Sequence, residues 1–377
     1  MSRAENDVAF MRCALEEARK GTPSPNPHVG AVLVAPSPGA GDGEIVGRGH
    51  HPRPGREHAE VMAIREAGPR ARGATLYVTL EPCNHHGRTP PCTDAIIAAG
   101  VARVVVGVRD PNPHVEGGGN DKLRAAGVEV VEHVEEAESA RIVAPFAKHV
   151  RTGRPWVRLK LAASLDGRIA SAQGVSKWIT GAEARREVHA LRATVDAVAV
   201  GIGTALADDP ALTVRDVAPL ADRAPPSRVV FDANARLPIE SQLARTAGDV
   251  PTIALIADDA PAARVDALLA AQVRLLRVAR GPGGVDLPAA LDALGREGVV
   301  DLLVEGGATL GGGLVAADLV DEIRWYLAPL ALGAGGTAAL LGPAPESPEQ
   351  ASRYLLDRVE RVGEDLALTL FRAKKRG

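Results

Sequence analysis

The stretch Thr79-Leu80-Glu81-Pro82-Cys83-Asn84-His85-His86-Gly87-Arg88-Thr89-Pro90-Pro91-Cys92, taken with His58-Ala59-Glu60 upstream, decides how this 377-residue chain is read. One imidazole and two thiolates hold Zn2+ tetrahedrally and leave a fourth position for water. His58, Cys83 and Cys92 are therefore a candidate ligand set. A metal held this way lowers the pKa of its water towards ~7 and makes a nucleophile at neutral pH. Glu60 follows His58 by two residues at a predicted helix start, where it reaches that water without ligating the metal. Cys92 opens a second helix after Pro90-Pro91, where the helix dipole favours a thiolate. Cys13, on the first predicted helix, reads as plain packing.

Outward from this stretch, hydrophobic spacing gives a three-layer α/β unit. A first helix is expected over 7–20, with Val8, Met11, Leu15 and Ala18 at helical spacing and Gly21 as a stop. Two strands, 29–35 and 44–49, flank a Pro/Gly-rich turn. Helices near 58–67, 92–99, 121 and 135–150 then alternate with strands 75–80, 103–108 and 128–131. A short Gly/Pro linker, Arg151 to Pro155, sets a domain boundary, giving domains 1–150 and 151–377. The second half alternates again, with strands near 157–161, 197–200, 228–231 and 252–256 and helices near 182–192, 260–270 and 287–297.

Composition narrows the function classes. Net charge is −3, without the basic excess that neutralises phosphates in nucleic-acid binders, so no polynucleotide partner is expected. The first twenty residues lack the apolar core of a signal peptide, and no run of ~18 apolar residues offers a membrane span. A cytoplasmic protein without membrane attachment is expected. Three cysteines make no disulfide framework, and the two close together, Cys83 and Cys92, read better as ligands or nucleophiles. Oligomeric state is left open, a homo-oligomer included.

A His-x-Glu step followed by Pro-Cys-x-x-Cys marks zinc deaminases that act on bases. Here eight residues, not two, separate Cys83 from Cys92. The inserted His85, His86, Arg88 and Thr89 suit a phosphate on the substrate, although His85 or His86 is also an alternative ligand. Asn26, just before the first strand, either binds a pyrimidine edge or makes a turn. His51 either contacts ligand or sits in a solvated loop.

In the second half, Val157, Leu159 and Leu161 alternate with Arg158 and Lys160, which puts the cations on one strand face. Lys160 is either a substrate contact or part of a solvated face. Thr180 with Glu183 reads as a capping box, and Arg185, His189 and Arg192 share a face of the helix it starts. Val304-Glu305-Gly306-Gly307 leads into Ala308-Thr309-Leu310-Gly311-Gly312-Gly313. This glycine-rich turn either cradles a pyrophosphate at a helix N-terminus or simply turns the chain. It is not the GxGxxG of a Rossmann fold.

Across both halves the chain resembles the bifunctional deaminase/reductase family of riboflavin biosynthesis, with TLEPCNHHGRTPPC matching that family's deaminase motif, longer gap included. The resemblance implies a cytidine-deaminase-like front domain and a dihydrofolate-reductase-like back domain, with Zn2+ and NADPH as cofactors. It implies a small phosphorylated pyrimidine as partner, deaminated in front and then reduced from ribosyl to ribityl behind. It implies His58, Cys83 and Cys92 as ligands, Glu60 as proton donor, and Asn26, His51, His85, Arg88 and Thr89 as substrate contacts. In the back domain, NADPH contacts would fall at Ala162, Trp178, Thr204, Asp208 and the Gly307 to Gly313 loop (Gly307, Ala308, Thr309, Leu310, Gly311, Gly312, Gly313). Substrate contacts would fall at Ser176, Arg192, Leu212, Arg215 and Glu305. Capping and turn roles are the alternatives for Thr204 and Asp208. Two other functions compete. One is a deaminase of free bases, nucleosides or tRNA with an unrelated C-terminal domain. The other is a zinc-binding interaction module, which requires a fourth protein ligand and gives Glu60 no role.

Overall fold

The computed structural model describes residues 2–36, 43–85, 90–113, 118–217 and 223–373. The chain divides into two compact units, Met1–Gly153 and Arg154–Gly377. Among the described residues, no helix is long and apolar enough to cross a membrane.

The first unit runs α1 (Arg3–Ala18), β1 (Gly30–Ala35), β2 (Glu44–His50), α2 (Ala59–Ala67), β3 (Thr75–Leu80), α3 (Cys92–Ala99), β4 (Arg103–Val108), α4 (Gly119–Ala125), β5 (Glu129–Val131) and α5 (Glu136–Thr152). Its sheet has the order β2-β1-β3-β4-β5. β1 pairs antiparallel with β2 and β3, while β3, β4 and β5 run parallel. Successive strand residues point to opposite faces. Ala31, Leu33, Leu76 and Val78 pack with Ala59, Ala63 and Ile96 of α2 and α3. Val32, Val34, Tyr77 and Val105 pack with Met11, Ala14 and Leu15 of α1. Cys13 lies against that second cluster, in the packing role expected of it. Helix α5 continues to Thr152 and ends at a left-handed Gly153, so the connecting segment starts later than the Gly/Pro composition suggested.

Two glycines set the seating of α2. A Cβ on Gly47 would lie 2.0 Å from the Ala63 carbonyl oxygen, and one on Gly49 would lie 2.1 Å from that of Ala59. Any side chain at either position would push the helix off the sheet.

The second unit contains β6 (Trp156–Ser164), β7 (Arg168–Ala170), α6 (Ala182–Thr194), β8 (Ala197–Gly201), α7 (Ile202–Asp208), β9 (Ser227–Phe231), α8 (Gln242–Arg245), β10 (Thr252–Ala257), α9 (Ala262–Ala270), β11 (Arg274–Val278), β12 (Arg280–Gly281), β13 (Gly284–Val285), α10 (Leu287–Arg296), β14 (Asp301–Glu305), α11 (Ala308–Ala316), β15 (Glu322–Ala328), β16 (Thr337–Ala338), β17 (Tyr354–Val362) and β18 (Asp365–Arg372). Nine strands form one sheet in the order β11-β10-β9-β8-β14-β6-β15-β18-β17. Strands β11 through β15 in that order run parallel, and β18 and β17 add an antiparallel edge. One face packs Leu159, Leu302 and Val304 against α10 and α11. The other packs Val198, Val230, Ile256 and Leu303 against α8 and α9.

The structure corrects three sequence expectations. Sequence periodicity placed no strand after Val304, yet β15, β17 and β18 form the sheet's far side. The register of β17 shifts between Leu356 and Arg358, which breaks the alternation that would have revealed it. Thr180 is not an N-cap, since α6 starts from Gly181 without a side-chain cap. Instead, the Gly181 amide donates to the Asp365 carboxylate at 2.8 Å, a partner 184 residues away that no local pattern announces. Finally, the Gly307 to Gly313 run is not a loop. Only Gly306 and Gly307 turn the chain, with φ of 69° and 84°, and Gly311 to Gly313 lie inside α11. There Gly312 packs so closely that a Cβ would stand 2.0 Å from the Leu341 carbonyl oxygen.

A buried ion pair ties α1 to the first sheet. Arg103 forks both Asp7 carboxylate oxygens at 2.7 Å, and the Tyr77 hydroxyl donates to Asp7 at 2.9 Å. Burial pushes the Asp7 pKa up, but the Arg103 and Tyr77 hydrogen bonds outweigh it and hold the pKa below its ordinary value. Arg103 Nε also donates to Glu129 at 3.1 Å, so Asp7→Asn leaves the guanidinium one carboxylate and is expected to destabilise this unit by about 1–3 kcal/mol. Because the folded pKa is depressed, the Asp7 contribution is complete above the ordinary carboxylate range near 3.9 and fades as pH falls through the lowered value. Chemical denaturation of both proteins at neutral pH and in acid checks this: the gap between them should narrow in acid.

Candidate active sites

His58 is the N-cap of α2, Cys92 the first residue of α3, and Cys83 follows the end of β3. The three meet because α2 and α3 cover one face of the sheet. Their donor atoms all lie within 4.8 Å of one another. His58 Nδ1 stands 3.2 Å from Cys92 Sγ and 3.5 Å from Cys83 Sγ. Tetrahedral zinc with bonds of ~2.1 and ~2.3 Å sets such N···S separations at roughly 3.6 Å, so the set fits the ion. Hydrogen bonds from the Cys92 thiol, from His58 and from the Cys92 amide pull the Cys83 pKa well down, towards the thiolate that zinc requires. Among the described residues this donor cluster has three members, and His85 is not one of them. His86 lies outside the described residues.

Glu60 sits on the first turn of α2 and is 3% exposed, and its Oε2 has no hydrogen-bond partner. Burial pushes its pKa up, with the His58 charge opposing. A buried carboxyl with a spare oxygen beside three metal donors is suited to accept and return a proton.

His58, Glu60 and Cys83 line a cavity of about 530 Å3 that also takes in Asn26, His51, Arg56, His85, Asp110 and Phe146. His51 is buried, which removes the solvated-loop alternative. Its Nδ1 meets the Glu57 carbonyl oxygen at 3.1 Å and its Nε2 meets Asn26 Nδ2 at 3.0 Å. Burial lowers the His51 pKa, so the ring is neutral, donates from Nδ1 and accepts the Asn26 amide at Nε2. Its edge lies against the His58 ring at a centroid distance of 5.1 Å. Arg88 and Thr89 fall outside the described residues.

Sequence reasoning did not single out Arg56 or Asp110, and it gave Glu81 no role of its own. Glu81 lies within the quoted motif, and its two oxygens accept the amides of Asp110 and Asn120 at 3.3 and 3.2 Å. It braces the wall of the cavity. Asp110 stands two residues past the end of β4, and burial raises its pKa. A carboxylate just beyond a parallel strand's carboxyl end was the available signal.

In the second unit, Glu305 ends β14 and lies beside Lys160 of β6 in the parallel register. Arg192 of α6 forks Glu305 at 2.5 and 2.8 Å. Burial would raise the Glu305 pKa, but the Arg192 bonds and charge bring it below the ordinary value. Burial lowers that of Lys160, with Glu305 opposing. Lys160 is half-buried beside Glu305, so it belongs to this charged cluster and not to a solvated strand face. The same Arg192 donates to the Thr213 carbonyl oxygen at 2.8 Å, which joins the cluster to the segment bearing Leu212 and Arg215. The Leu212 side chain is 3% exposed in the core, so its backbone is what it can offer a ligand. Arg215 is exposed.

Thr204 lies on α7 against the Gly306-Gly307 turn, since a Cβ on Gly307 would come 3.2 Å from Thr204 Oγ1. Gly306 has open space where a side chain would stand, and the free amides of the α11 first turn follow it, a backbone cradle that fits a dinucleotide pyrophosphate. Gly311 and Gly312 are buried inside the helix and do not belong to that cradle. Trp178 is 70% exposed and stacks under the Arg185 guanidinium at 4.4 Å. Ser176 and Asp208 are also exposed, and no described hydrogen bond or ion pair links them or Trp178 to Glu305.

A zinc cluster with an adjacent buried acid in one α/β unit, followed by a parallel-sheet unit with a glycine cradle, defines a two-domain enzyme that joins a deaminase to a reductase. Residues 4–108 match the cytidine and deoxycytidylate deaminase zinc-binding region, and residues 155–368 match the RibD C-terminal domain. The riboflavin biosynthesis protein RibD of Escherichia coli (strain K12) is 42% identical over 97% of this chain and 99% of its own length. That of Aquifex aeolicus (strain VF5) is 40% identical over 97% and 98%. A crystal form of Acinetobacter baumannii RibD superimposes with a TM-score of 0.83 at 38% identity, covering 99% of this chain and 100% of that one. The diaminohydroxyphosphoribosylaminopyrimidine deaminase/5-amino-6-(5-phosphoribosylamino)uracil reductase of Thermotoga maritima gives 0.81 at 34% identity over 99% and 100%.

The chain belongs to the RibD family, the bifunctional zinc deaminases and NADPH-dependent reductases of riboflavin biosynthesis. The alternatives of a stand-alone base or tRNA deaminase with an unrelated C-terminal domain, and of a zinc interaction module, are set aside by the two domain matches.

Cys83→Ala and Cys92→Ala are each expected to lower bound zinc from about one ion per chain to near zero, because a site of three donors cannot spare a thiolate. Metal analysis after gel filtration measures this, with reduction by the second unit as the control for an intact remainder.

Proposed function

We propose that the first unit hydrolyses the 2-amino group of 2,5-diamino-6-(5-phosphoribosylamino)pyrimidin-4-one, and that the second reduces the ribosyl arm of the product to ribityl. The observation that carries the deaminase reading is the unpartnered, buried Oε2 of Glu60 beside His58, Cys83 and Cys92.

His58, Cys83 and Cys92 would hold zinc, which would supply an acidified water. Glu60 is placed to take a proton from the water whose oxygen adds to C2 and to deliver it to the neighbouring ring nitrogen. Glu60 then passes the proton of the new C2 hydroxyl to the amino group, the C2–N bond breaks, ammonia leaves and the C2 carbonyl and ring C=N are restored. The neutral His51 fixes the Asn26 amide, which reads the pyrimidine edge. His85 lines the same cavity, and with Arg88 and Thr89, three and four residues on in the sequence, it is suited to the phosphorylated arm.

In the second unit, the Gly306-Gly307 turn and the amides of Ala308, Thr309 and Leu310 hold the cofactor pyrophosphate, with Thr204 against the turn. Ala162, Trp178 and Asp208 complete the cofactor contacts. NADPH supplies the hydride that reduces C1′ of the sugar. Lys160, Arg192 and Glu305 face the sugar with two cations and one carboxylate. Ser176, Leu212 and Arg215 complete the substrate contacts, Arg215 towards the phosphate. The buried Arg192–Glu305 fork supports this reading, because it fixes both groups before substrate arrives.

Glu60→Gln keeps the side chain's size but cannot relay protons, so deamination is expected to fall ~10^2- to 10^4-fold. Zinc content and reduction of the already deaminated intermediate should persist. Mass analysis of products from the diaminopyrimidinone phosphate, with and without NADPH, reads all of this. A full-rate deaminase after the substitution would remove Glu60 from the proton path.

Arg192→Ala strands Glu305, and loss of such charged hydrogen bonds costs ~1.5–3 kcal/mol, or roughly 10- to 150-fold in the reductase kcat/KM. Deamination should not change. Steady-state NADPH oxidation with the deaminated intermediate measures it.

A further inference from the structure

The segment 209–216, between α7 and β9, has no helix or strand, yet its backbone is tightly specified. Three of its non-glycine residues have positive φ: Asp209 at 40°, Leu212 at 50° and Asp216 at 59°. Such conformations persist only where the surroundings impose them. The surroundings here are a set of side-chain pins. The Gln242 amide donates to Asp209 Oδ1 at 2.8 Å, and Leu212 is anchored in the core. Arg192 donates to the Thr213 carbonyl oxygen at 2.8 Å, and the Arg215 amide donates to His189 Nδ1 at 3.2 Å.

The last two pins share an origin. His189 and Arg192 are three residues apart on α6 and so lie on one helix face. Arg192 also forks Glu305, so one short stretch of helix holds both the acidic group of the site and the segment carrying Leu212 and Arg215. A guanidinium donates at every accessible pH, whereas an imidazole nitrogen accepts only while unprotonated.

We propose that His189 is a positioning residue of the reductase site: its neutral ring fastens the 213–215 backbone by accepting the Arg215 amide, and protonation releases it. This rests on the reading that Leu212 and Arg215 contact substrate.

The charged groups around the ring come from three elements. Arg192 lies on the same helix, Arg215 on the segment and Glu305 at the end of β14. Desolvation and then the two guanidiniums push the His189 pKa below its ordinary value, while Glu305 and the Thr213 carbonyl oppose them. The latch is therefore closed at neutral pH. It opens as pH falls through that lowered value, below the ordinary histidine pKa near 6.5, when a protonated Nδ1 would turn its own N–H towards the Arg215 N–H. Loss of the pin loosens Arg215, so the effect falls on KM for the phosphorylated intermediate and leaves kcat for bound substrate nearly constant.

The test is the pH dependence of reductase KM in full-length enzyme, with deaminase activity of the same samples reporting integrity. Removing a single hydrogen bond gives His189→Ala a KM roughly 3- to 10-fold above wild type at a pH of about 7.5. That raised KM should no longer rise further in acid beyond the titration of the substrate phosphate itself. His189→Asn puts an amide oxygen where Nδ1 stood and cannot be protonated. It should restore a near-wild-type KM at neutral pH and flatten the acid limb in the same way. A His189→Ala enzyme with wild-type KM and wild-type pH profile overturns the proposal, as does a His189→Asn enzyme that retains the full acid limb. Arg215→Ala separates the two levels. If it raises KM while the His189 variants behave as wild type, the latch is wrong and the substrate reading stands. If it leaves KM unchanged, both fall.

Discussion

A carboxyl group removed from water with one oxygen unpartnered is costly unless a nearby charge or reacting group uses it, and Glu60 is such a group. Its position follows from how α2 is held. The helix begins at His58, turns its buried alanines to the sheet and leaves Glu60 on its first turn, facing the three donors. α3 brings Cys92 to the same point from its own first residue, and β3 delivers Cys83 just past its end. The deaminase centre is thus a meeting of two helix starts and one strand end: α2 contributes His58 and Glu60, α3 contributes Cys92, and β3 contributes Cys83.

The second unit handles charge differently. Arg192 and Glu305 form a largely buried forked pair beside Lys160, and Arg192 uses its remaining nitrogen on backbone. Buried charges that are paired and hydrogen-bonded hold a fixed geometry. The first unit keeps one buried acid unpaired for proton traffic, and the second keeps its charges paired for grip. That difference matches a hydrolysis that moves protons and a reduction whose chemistry is carried by the cofactor.

Much of this was legible in the residues. The zinc donors, Glu60 and the strands and helices around them follow from a compact motif and regular hydrophobic spacing. His51 and Asn26 were recognisable as candidates, but their mutual hydrogen bond joins residues 25 positions apart and needed coordinates. Three features escaped for physical reasons. In the antiparallel edge of the second sheet a register shift breaks the alternation of β17, although Leu366, Leu368 and Leu370 of β18 do alternate. Gly181 is capped by Asp365 from the far end of the chain, which makes Thr180 a convincing but wrong local choice. The triple glycine reads as a loop because glycine disfavours helices, yet Gly312 is needed where α11 passes against the Leu341 backbone. His189 stood out only as one face of a helix until its partner, a main-chain amide, came into view.

Metal coordination in this protein is also governed from outside the motif. Gly47 and Gly49 bear no functional group and touch neither sulfur nor imidazole. They are the floor on which α2 lies, and their lack of a Cβ sets how far His58 stands from Cys83 and Cys92. A methyl group added there would act as a wedge, lifting one ligand away from the other two. The chemistry of the centre therefore depends on two atoms of empty space in β2, and sequence comparisons confined to chemically active side chains would overlook them.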